Sequence, residues 1–314
     1  MYALLGTTES TGGRCSDGLP LFNKALAIAE QYNCQREIAL ICTNMGDLYL
    51  RLANYSEAQS YFRRAKSIAE AVGDKPLFAL VVGNMGILDT RVGNLTEALN
   101  KLGESVSVAD ANKDFASASI FSSYLALASI ESGDIEAASK ALFKALKISR
   151  KLRIFPYAGL TLVYIGYLRL VQSTREKSNV NRWKVLISRA RKTLVHAISI
   201  DSIEEETRIE GRLLLAQVLM QMDEYEEAYA QTKQALDEVT RFELMWLLPR
   251  AHYLLGDYYT QQKLYSEAQN NYERGLSLAR KHDMRLELAR ELKHFGDFLL
   301  QSKIIQLANS TDAQ

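Results

Sequence analysis

The sequence predicts an all-α protein, a right-handed superhelical solenoid of antiparallel helix pairs. Three observations lead to this prediction. The segment 44–46, Asn-Met-Gly, recurs forty residues later as 84–86, and small residues continue at that interval along most of the chain. Only 4 prolines occur in 314 residues, so little in the chain interrupts helices. Hydrophobic residues make up 47% of the chain, which is enough to bury a long core.

Small residues fall at three phases of each repeat, and the phases divide it into two helices. The first phase, in the first helix, contains Gly6, Gly46, Gly86, Ala126, Gly166, Ala216, Gly256 and Gly296. Two further phases follow in the second helix, as at Ala58 and Ala65. Small residues at fixed positions let neighbouring helices approach closely, and large residues one turn away fill the space around them. The pattern therefore predicts helix pairs stacked in series.

The turns between the two helices of a pair carry residues typical of helix starts. Asn54 is followed three residues later by Glu57, and Asn94 by Glu97. An Asn side chain accepts a hydrogen bond from the unpaired N–H groups of the first turn, and the Glu can reach back to the cap. These turns separate the first helix of each pair from the second.

The repeat phases divide the chain into four parts. Residues 1–33 form a degenerate N-terminal repeat, 34–285 form six helix pairs, 286–307 form a C-terminal capping helix and 308–314 form a polar tail. The chain begins inside a repeat, whereas repeat arrays end in polar caps. We therefore expect an effector region on the N-terminal side of this segment.

One insertion interrupts the spacing, near residues 173–184. Insertions in repeat arrays collect on one face, which is often a binding face, so Trp183 is a candidate contact residue. The alternative is that Trp183 folds onto a lengthened helix.

The small-residue spacing resembles the tetratricopeptide repeat. An aromatic residue or leucine follows the middle small residue by four positions, at Phe22, Phe62, Leu102, Leu142, Leu194 and Tyr272. The forty-residue interval is similar to that of the long repeats in kinesin light chains, spindle-orientation adaptors and bacterial regulator sensor domains. HEAT repeats have a similar length and are an alternative on that ground alone. The resemblance implies a non-enzymatic protein- or peptide-binding module, the sensor or scaffold of a larger bacterial-type regulator.

Composition and motifs exclude several classes of function. A net charge of +1 supplies no positive electrostatic field that would attract nucleic acid. The apolar stretches are too short to cross a membrane. No metal-ligand spacing, phosphate-binding loop or nucleophile motif occurs, so we expect no metal, no cofactor and no enzyme activity. Three unpatterned cysteines and the lack of a signal peptide favour a cytoplasmic location.

The candidate binding site is the concave groove, which the first helices line. Its predicted residues are Asn44, Asp47, Arg51, Asn84, Arg91, Arg250, Tyr253, Asp257, Arg290 and Lys293. In the adaptor repeats that this chain resembles, ladder asparagines bind the ligand main chain and arginines bind its carboxylates. Arg51 and Arg91, forty residues apart, are expected to stack and attract an anion. The predicted ligand is an extended acidic peptide.

Several alternatives stay open at this point. Asn44 and Asn84 are alternatively buried amides that tie helices together. Arg51 and Arg91 are alternatively cations at helix ends, where they complement the helix dipole. For the whole chain, the alternatives are a structural oligomerisation array and an enzyme with an unrecognised site.

Overall fold

The structure is a computed structural model that describes residues 2–311, and every regular element within them is helical. The α-helices are α1 (Tyr2–Gly12), α2 (Leu19–Gln31), α3 (Gln35–Arg51), α4 (Tyr55–Val72), α5 (Lys75–Val92), α6 (Leu95–Ala111), α7 (Phe115–Ser132), α8 (Ile135–Leu152), α9 (Phe155–Arg175), α10 (Val180–Ile198), α11 (Glu205–Gln221), α12 (Tyr225–Phe242), α13 (Leu248–Gln261), α14 (Tyr265–Lys281) and α15 (Arg285–Thr311). Short 3-10 helices at Cys15–Gly18 and Met245–Leu247 precede α2 and α13. The predicted all-α solenoid is confirmed.

Consecutive helices pack against one another along the array, and each odd-numbered helix also contacts the odd-numbered helices before and after it. The even-numbered helices bury a single stripe of residues, whereas helices such as α5 and α11 bury residues on several sides. The odd-numbered first helices therefore form the inner, concave layer of the superhelix, and the even-numbered second helices form its outer layer.

Local sequence sets the helix boundaries. The Asp74 carboxylate accepts a hydrogen bond from the N–H of Leu77 at 3.0 Å and caps α5, and Asn54 caps α4 in the same way through Glu57. At the other end of α5, Gly93 adopts a φ of 85°, a left-handed conformation that ends the helix with little strain. Asp and Asn side chains cap α7, α8 and α10 in the same way, whereas Asn94, which was expected to cap α6, makes no such hydrogen bond.

In the five helix pairs whose first helix carries a glycine at the first phase, a large side chain of the second helix fills the space above that glycine. A Cβ added at Gly86 would lie 2.6 Å from Cγ of Leu102, and one at Gly256 would lie 2.6 Å from Cε1 of Tyr272. Gly46 receives the ring of Phe62 in the same way. No side chain larger than hydrogen fits at these glycines unless the second helix moves away, which explains the small residues at the first phase.

The inserted residues do not form a long loop. Residues 173–175 end α9, residues 180–184 begin α10, and only 176–179 lie between the two helices. Trp183 is half-buried and packs against the core. The insertion therefore lengthens two helices, because its residues continue their hydrogen bonding.

The C-terminal part of the chain follows the predicted division only approximately. The expected capping helix, 286–307, falls within α15, which continues to Thr311. The expected polar tail, 308–314, thus begins inside α15, and its last three residues lie outside the described residues.

The two ends of the superhelix meet across its axis. Helix α15 contacts α5, and Nδ1 of His282 lies 3.2 Å from the carbonyl oxygen of Ala53. The guanidinium of Arg14 pairs with the carboxylate of Glu243 at 2.6 Å. The array therefore makes about one closed turn, with N-terminal helices facing C-terminal helices across the groove.

Candidate functional site

All ten predicted groove residues lie on first helices, and the structure divides them among different environments. Asn44, Asp47 and Arg51 lie on α3, and Asn84 and Arg91 lie on α5. The C-terminal set of Arg250, Tyr253, Asp257, Arg290 and Lys293 lies on α13 and α15. The four arginines form two ion-pair clusters that cross the groove, whereas Asp257 and Lys293 line an open part of it.

The first cluster, called here the Glu206 cluster, consists of Arg51, Asp47, Arg91, Glu206 and Trp246. Nε of Arg51 lies 3.1 Å from Asp47 Oδ2 and also 3.1 Å from Glu206 Oε2. Nη2 of Arg91 lies 3.7 Å from Glu206 Oε1, and its guanidinium stacks on the indole ring of Trp246. The Trp246 N–H donates to Glu206 at 2.9 Å. One carboxylate of α11 thus occupies both of the arginines that were expected to attract a ligand anion.

Electrostatics in the Glu206 cluster favour the charged forms of its arginines. Burial lowers the pKa of Arg51, but the carboxylates of Asp47 and Glu206 outweigh it and hold that pKa above its ordinary value. The neighbouring Cys15 thiol is buried, which raises its pKa to about 12. The cluster is therefore a set of paired charges beside an unreactive thiol.

The second cluster, called here the Glu287 cluster, joins α13 and α15 to α7 and α9. Nη2 of Arg250 lies 2.9 Å from Glu287 Oε1, and Arg290 pairs with both Glu287 and Glu131. The hydroxyl of Tyr167 donates to Glu131 at 2.9 Å. Burial raises the pKa of Glu287, but Arg250 and Arg290 outweigh it and hold that pKa below its ordinary value. Helix α15 is thereby held against the opposite wall of the superhelix.

The two clusters close the middle of the groove. The cavity between them, bordered by Arg91, Trp246, Arg250 and Arg290, has a volume of only about 20 Å³, which is room for about one water molecule. A ligand therefore cannot pass between the clusters unless an ion pair opens.

A larger cavity of about 660 Å³, called here the open groove section, lies beside the clusters on the C-terminal helices. Its polar lining includes Lys177, Gln217, Gln221, Asp223, Asp257, Lys293, His294, Asp297 and Gln301. Within the described residues, Lys177 and Lys293 make no ion pair. The open groove section thus offers two ammonium groups without a direct ion pair, in a lining that also contains the carboxylates of Asp223, Asp257 and Asp297.

Asp257 is held in place by its neighbours. The hydroxyl of Tyr272 donates to Asp257 Oδ1 at 2.8 Å, and Nδ1 of His294 lies 2.9 Å from Asp257 Oδ2. The ring of Tyr253 stacks under His294 at a centroid distance of 4.3 Å. Tyr253 is only 1% exposed, so it lies beneath the groove surface and supports His294.

The predicted asparagine ladder is half-buried. Asn44 and Asn84 are both partly exposed, and neither side-chain amide forms a hydrogen bond within residues 2–311. Their donors and acceptors are therefore available at the N-terminal part of the concave layer.

Family models agree with this repeat geometry. Residues 1–71 and residues 249–282 each match a model described as tetratricopeptide repeat. The chain is a tetratricopeptide-type repeat protein. The first match covers the degenerate N-terminal repeat and the α3–α4 pair, and the second covers α13 and α14. No curated protein matches the sequence of this tetratricopeptide array.

Solved tetratricopeptide structures share the fold. A Rap protein complexed with Competence and Sporulation Factor superposes with a TM-score of 0.59 and 13% identity, over 87% of this chain and 85% of that one. The Rap conjugation gene regulator of plasmid pLS20, complexed with the Phr* peptide, superposes with a TM-score of 0.60 and 15% identity, over 87% of this chain and 78% of that one. A signal transduction ATPase with a tetratricopeptide sensor from Pyrococcus horikoshii superposes with a TM-score of 0.52 and 16% identity, over 93% of this chain and 46% of that one. At these identities the likeness shows the fold alone.

Sequence reasoning missed the glutamates that neutralise the groove arginines. Glu206 falls in an acidic run at the start of α11, where an interaction with the helix dipole explains it. Its partners Arg51 and Arg91 lie more than one hundred residues away, and nothing local indicates the pairing. One signal could have indicated this pairing. A carboxylate at the start of a first helix faces the helices on the opposite side of the groove when the superhelix makes one turn.

The described residues contain neither a membrane-spanning helix nor a metal-binding cluster. Between residues 2 and 311, no helix is long and apolar enough to cross a membrane. The same part of the chain contains no group of three or more side chains arranged to hold a metal ion.

Proposed function

We propose that this tetratricopeptide array binds an extended acidic peptide segment in its concave groove, as the sensor or scaffold part of a larger bacterial-type regulator. The observation that carries the proposal is the open groove section, because Lys177 and Lys293 line a cavity of about 660 Å³ and neither ammonium group forms an ion pair within the described residues, although Asp223, Asp257 and Asp297 line the same cavity. Carboxylates of the ligand pair with these lysines. The partly exposed amide of Gln217 on α11 binds its main chain.

In a second binding step, the ligand engages the N-terminal part of the groove. Glu206 occupies the site between Arg51 and Arg91, so a ligand carboxylate binds these arginines only when it replaces Glu206. The free amides of Asn44 and Asn84 then lie on the same two helices, ready to bind the main chain of the ligand. A ligand that opens the Glu206 cluster would separate α3 and α5 from α11, which couples binding to the shape of the superhelix.

Two comparisons support a peptide ligand. Two Rap structures that share this fold were solved in complex with Competence and Sporulation Factor or with the Phr* peptide, and another neighbour has tetratricopeptide repeats as the sensor of a signal transduction ATPase. No catalytic family is evident among the family matches, which supports a binding role. Partners are therefore proposed to be proteins or peptides, without nucleic acid and without a membrane, in the cytoplasm.

The proposal is tested by selecting ligands without prior assumptions. A phage-displayed library of random peptides is panned on the immobilised full chain, and selected peptides are measured by fluorescence polarisation. Asp and Glu should be enriched, and affinity should fall as salt rises because exposed charge pairs are screened. The Lys177→Ala/Lys293→Ala variant should bind about 2- to 30-fold more weakly, since each exposed pair contributes about 0.2–1 kcal/mol.

A matched control lies on the outer layer. Lys147 on α8 and Lys233 on α12 are exposed lysines without ion pairs in the described chain, so the Lys147→Ala/Lys233→Ala variant loses the same charge. It should bind the selected peptides as the wild type does. Selection of peptides without acidic enrichment, or equal losses in both variants, would contradict the proposal. Self-association without any peptide selection would instead support a structural oligomerisation array.

A further inference from the structure

The contact between the two ends of the superhelix, called here the seam, differs in chemistry from the interfaces between repeats. Its N-terminal side consists of residues 14–16, 52–54 and Gly93, and its C-terminal side consists of 243–246 and 281–286. The Glu206 cluster lies at its inner edge. The interfaces between repeats bury small and apolar side chains, whereas polar groups hold much of the seam.

Polar contacts follow the seam along its length. Both carboxylate oxygens of Glu243 bind the N-terminal side: Nη2 of Arg14 donates to Oε1 at 2.6 Å, and the Ser16 N–H donates to Oε2 at 2.9 Å. Nδ1 of His282 lies 3.2 Å from the carbonyl oxygen of Ala53. Water can replace each of these contacts when the two sides separate, so their net contribution to closure is small.

Packing across the seam is incomplete. A cavity of about 680 Å³ lies between residues 281–285 and residues 52–56. The Nε atoms of Arg51 and Arg91 and Nε2 of His282 are buried, yet none of them forms a hydrogen bond within the described residues. Opening the seam would hydrate these groups, whereas separating two repeats would expose apolar surface. The seam is therefore the interface of the array that costs least to open.

Cys15 is covered by the C-terminal side of the seam. It is 1% exposed and belongs to the hydrophobic cluster that contains Leu244 and Trp246. Cys42 is 0% exposed, but it lies in α3 within a separate N-terminal cluster that contains Phe62. Opening of the seam would therefore expose Cys15 and leave Cys42 covered.

We infer that the superhelix is a gated ring, in which the seam opens as a unit while every repeat stays folded. Opening withdraws the C-terminal side from the N-terminal turns and takes Trp246 off Arg91, so the Glu206 cluster opens with the seam. The gate operates in the chain without a ligand. In the open state a ligand carboxylate can reach Arg51 and Arg91, a consequence that rests on the proposed function.

A disulfide across the seam would lock the gate. A Cβ added at Gly93 would lie 3.4 Å from the Cβ of Arg285, close to the separation of about 3.5–4.5 Å found in disulfides. Gly93 has a φ of 85°, but Ala53 and Lys263 occupy the same position of their turns with φ of 56° and 60°, so the turn accepts a side chain. The variant Gly93→Cys/Arg285→Cys is made together with Cys34→Ser, which removes the half-buried native thiol.

Alkylation of the buried thiols measures how often the gate opens. The variant is divided into a reduced and an oxidised sample, both are treated with N-ethylmaleimide, and the modification of Cys15 and Cys42 is followed by mass spectrometry. In the reduced sample, as in the wild type, Cys15 should react at least about tenfold faster than Cys42, because opening of the seam is less costly than unfolding of a repeat. The disulfide should slow Cys15 at least about tenfold, because it blocks this opening.

A second variant tests the gate without introduced cysteines. Glu243→Gln keeps a hydrogen-bond acceptor but removes the charge that pairs across the seam, so Cys15 should react about two- to fivefold faster while Cys42 does not change. The matched control is Glu227→Gln on the outer layer, because Glu227 also forms a partly exposed ion pair, at 2.9 Å with Arg191. It should leave both rates as they are in the wild type.

Three results would overturn the inference. Equal rates for Cys15 and Cys42 in the wild type would mean that only global unfolding exposes Cys15. An unchanged rate for Cys15 in the oxidised sample would mean that fraying of α1, and not the seam, exposes it. The third result is a Cys15 rate that Glu227→Gln raises as much as Glu243→Gln does.

Discussion

The Glu206 cluster predicts a large effect from a small substitution. Glu206→Gln keeps the shape of the side chain and an oxygen that accepts from Trp246, which donates at 2.9 Å in the wild type. It removes the negative charge between Arg51 and Arg91, whose side chains are only 14% and 10% exposed. Two cations would then lie partly buried with less compensation than before.

The size of the effect follows from the geometry. Removing one partner of a fully buried ion pair costs about 3–5 kcal/mol. Here Arg51 keeps Asp47 at 3.1 Å, and the side chains retain some exposure, so we expect a loss of about 2–3 kcal/mol. For a chain of this size, that loss lowers the melting temperature by roughly 3–5 °C.

The neighbouring residue supplies the control. Glu205 lies in the same first turn of α11, but it is 42% exposed and pairs only with Arg208 at 3.4 Å. Glu205→Gln therefore loses a similar interaction with the helix dipole and an exposed pair, at most about 1 kcal/mol. Both variants are compared by thermal melts at 222 nm and by Trp fluorescence. Equal losses below about 1 kcal/mol would show that Glu206 acts only on the helix dipole and would refute the cross-groove pairing.

Three further predictions concern packing, pH and thiol reactivity. Gly46→Ala should destabilise the chain by about 1–3 kcal/mol in a denaturant titration, because the new Cβ overlaps the Phe62 ring, whereas Gly103→Ala should not. Burial, together with Glu287 and Asp257, raises the pKa of Glu291 to about 10, so the folded state holds a proton that the unfolded state releases above about 4.5. Stability should therefore fall as pH rises between those values, and Glu291→Met should abolish that fall; an unchanged pH profile would contradict it. Cys15 and Cys42 are buried and Cys34 is half-buried. Ellman's reagent should therefore label Cys34 first in the native chain. Fast labelling of all three thiols would contradict the packing.

The architecture was predictable from the sequence because it depends on local repetition. The forty-residue interval places Gly46, Gly86 and Gly256 at one phase, and the structure shows a large side chain over each of them. Helix starts were predictable for the same reason, since Asn54 and Asp74 cap helices through residues three positions away. Interactions within one repeat unit leave a signature in the sequence.

The state of the groove was not predictable, because it depends on how far the superhelix turns. Arg51 and Arg91 were correctly placed on successive first helices, but their partner Glu206 comes from α11. Small rotations between successive pairs add up to bring these helices together. For the inserted segment 173–184 the sequence left two interpretations open, because its length is visible in the sequence but its continuation of α9 and α10 is not.

Lysine footprinting shows whether an acidic ligand lies in the open groove section. The full chain is acetylated briefly with and without a selected acidic peptide, and each lysine is quantified by mass spectrometry. The peptide should protect Lys177 and Lys293, while Lys147 and Lys233 on the outer layer should be modified at an unchanged rate. Protection of the outer lysines, or no protection of Lys177 and Lys293 at saturating peptide, would contradict the proposed site.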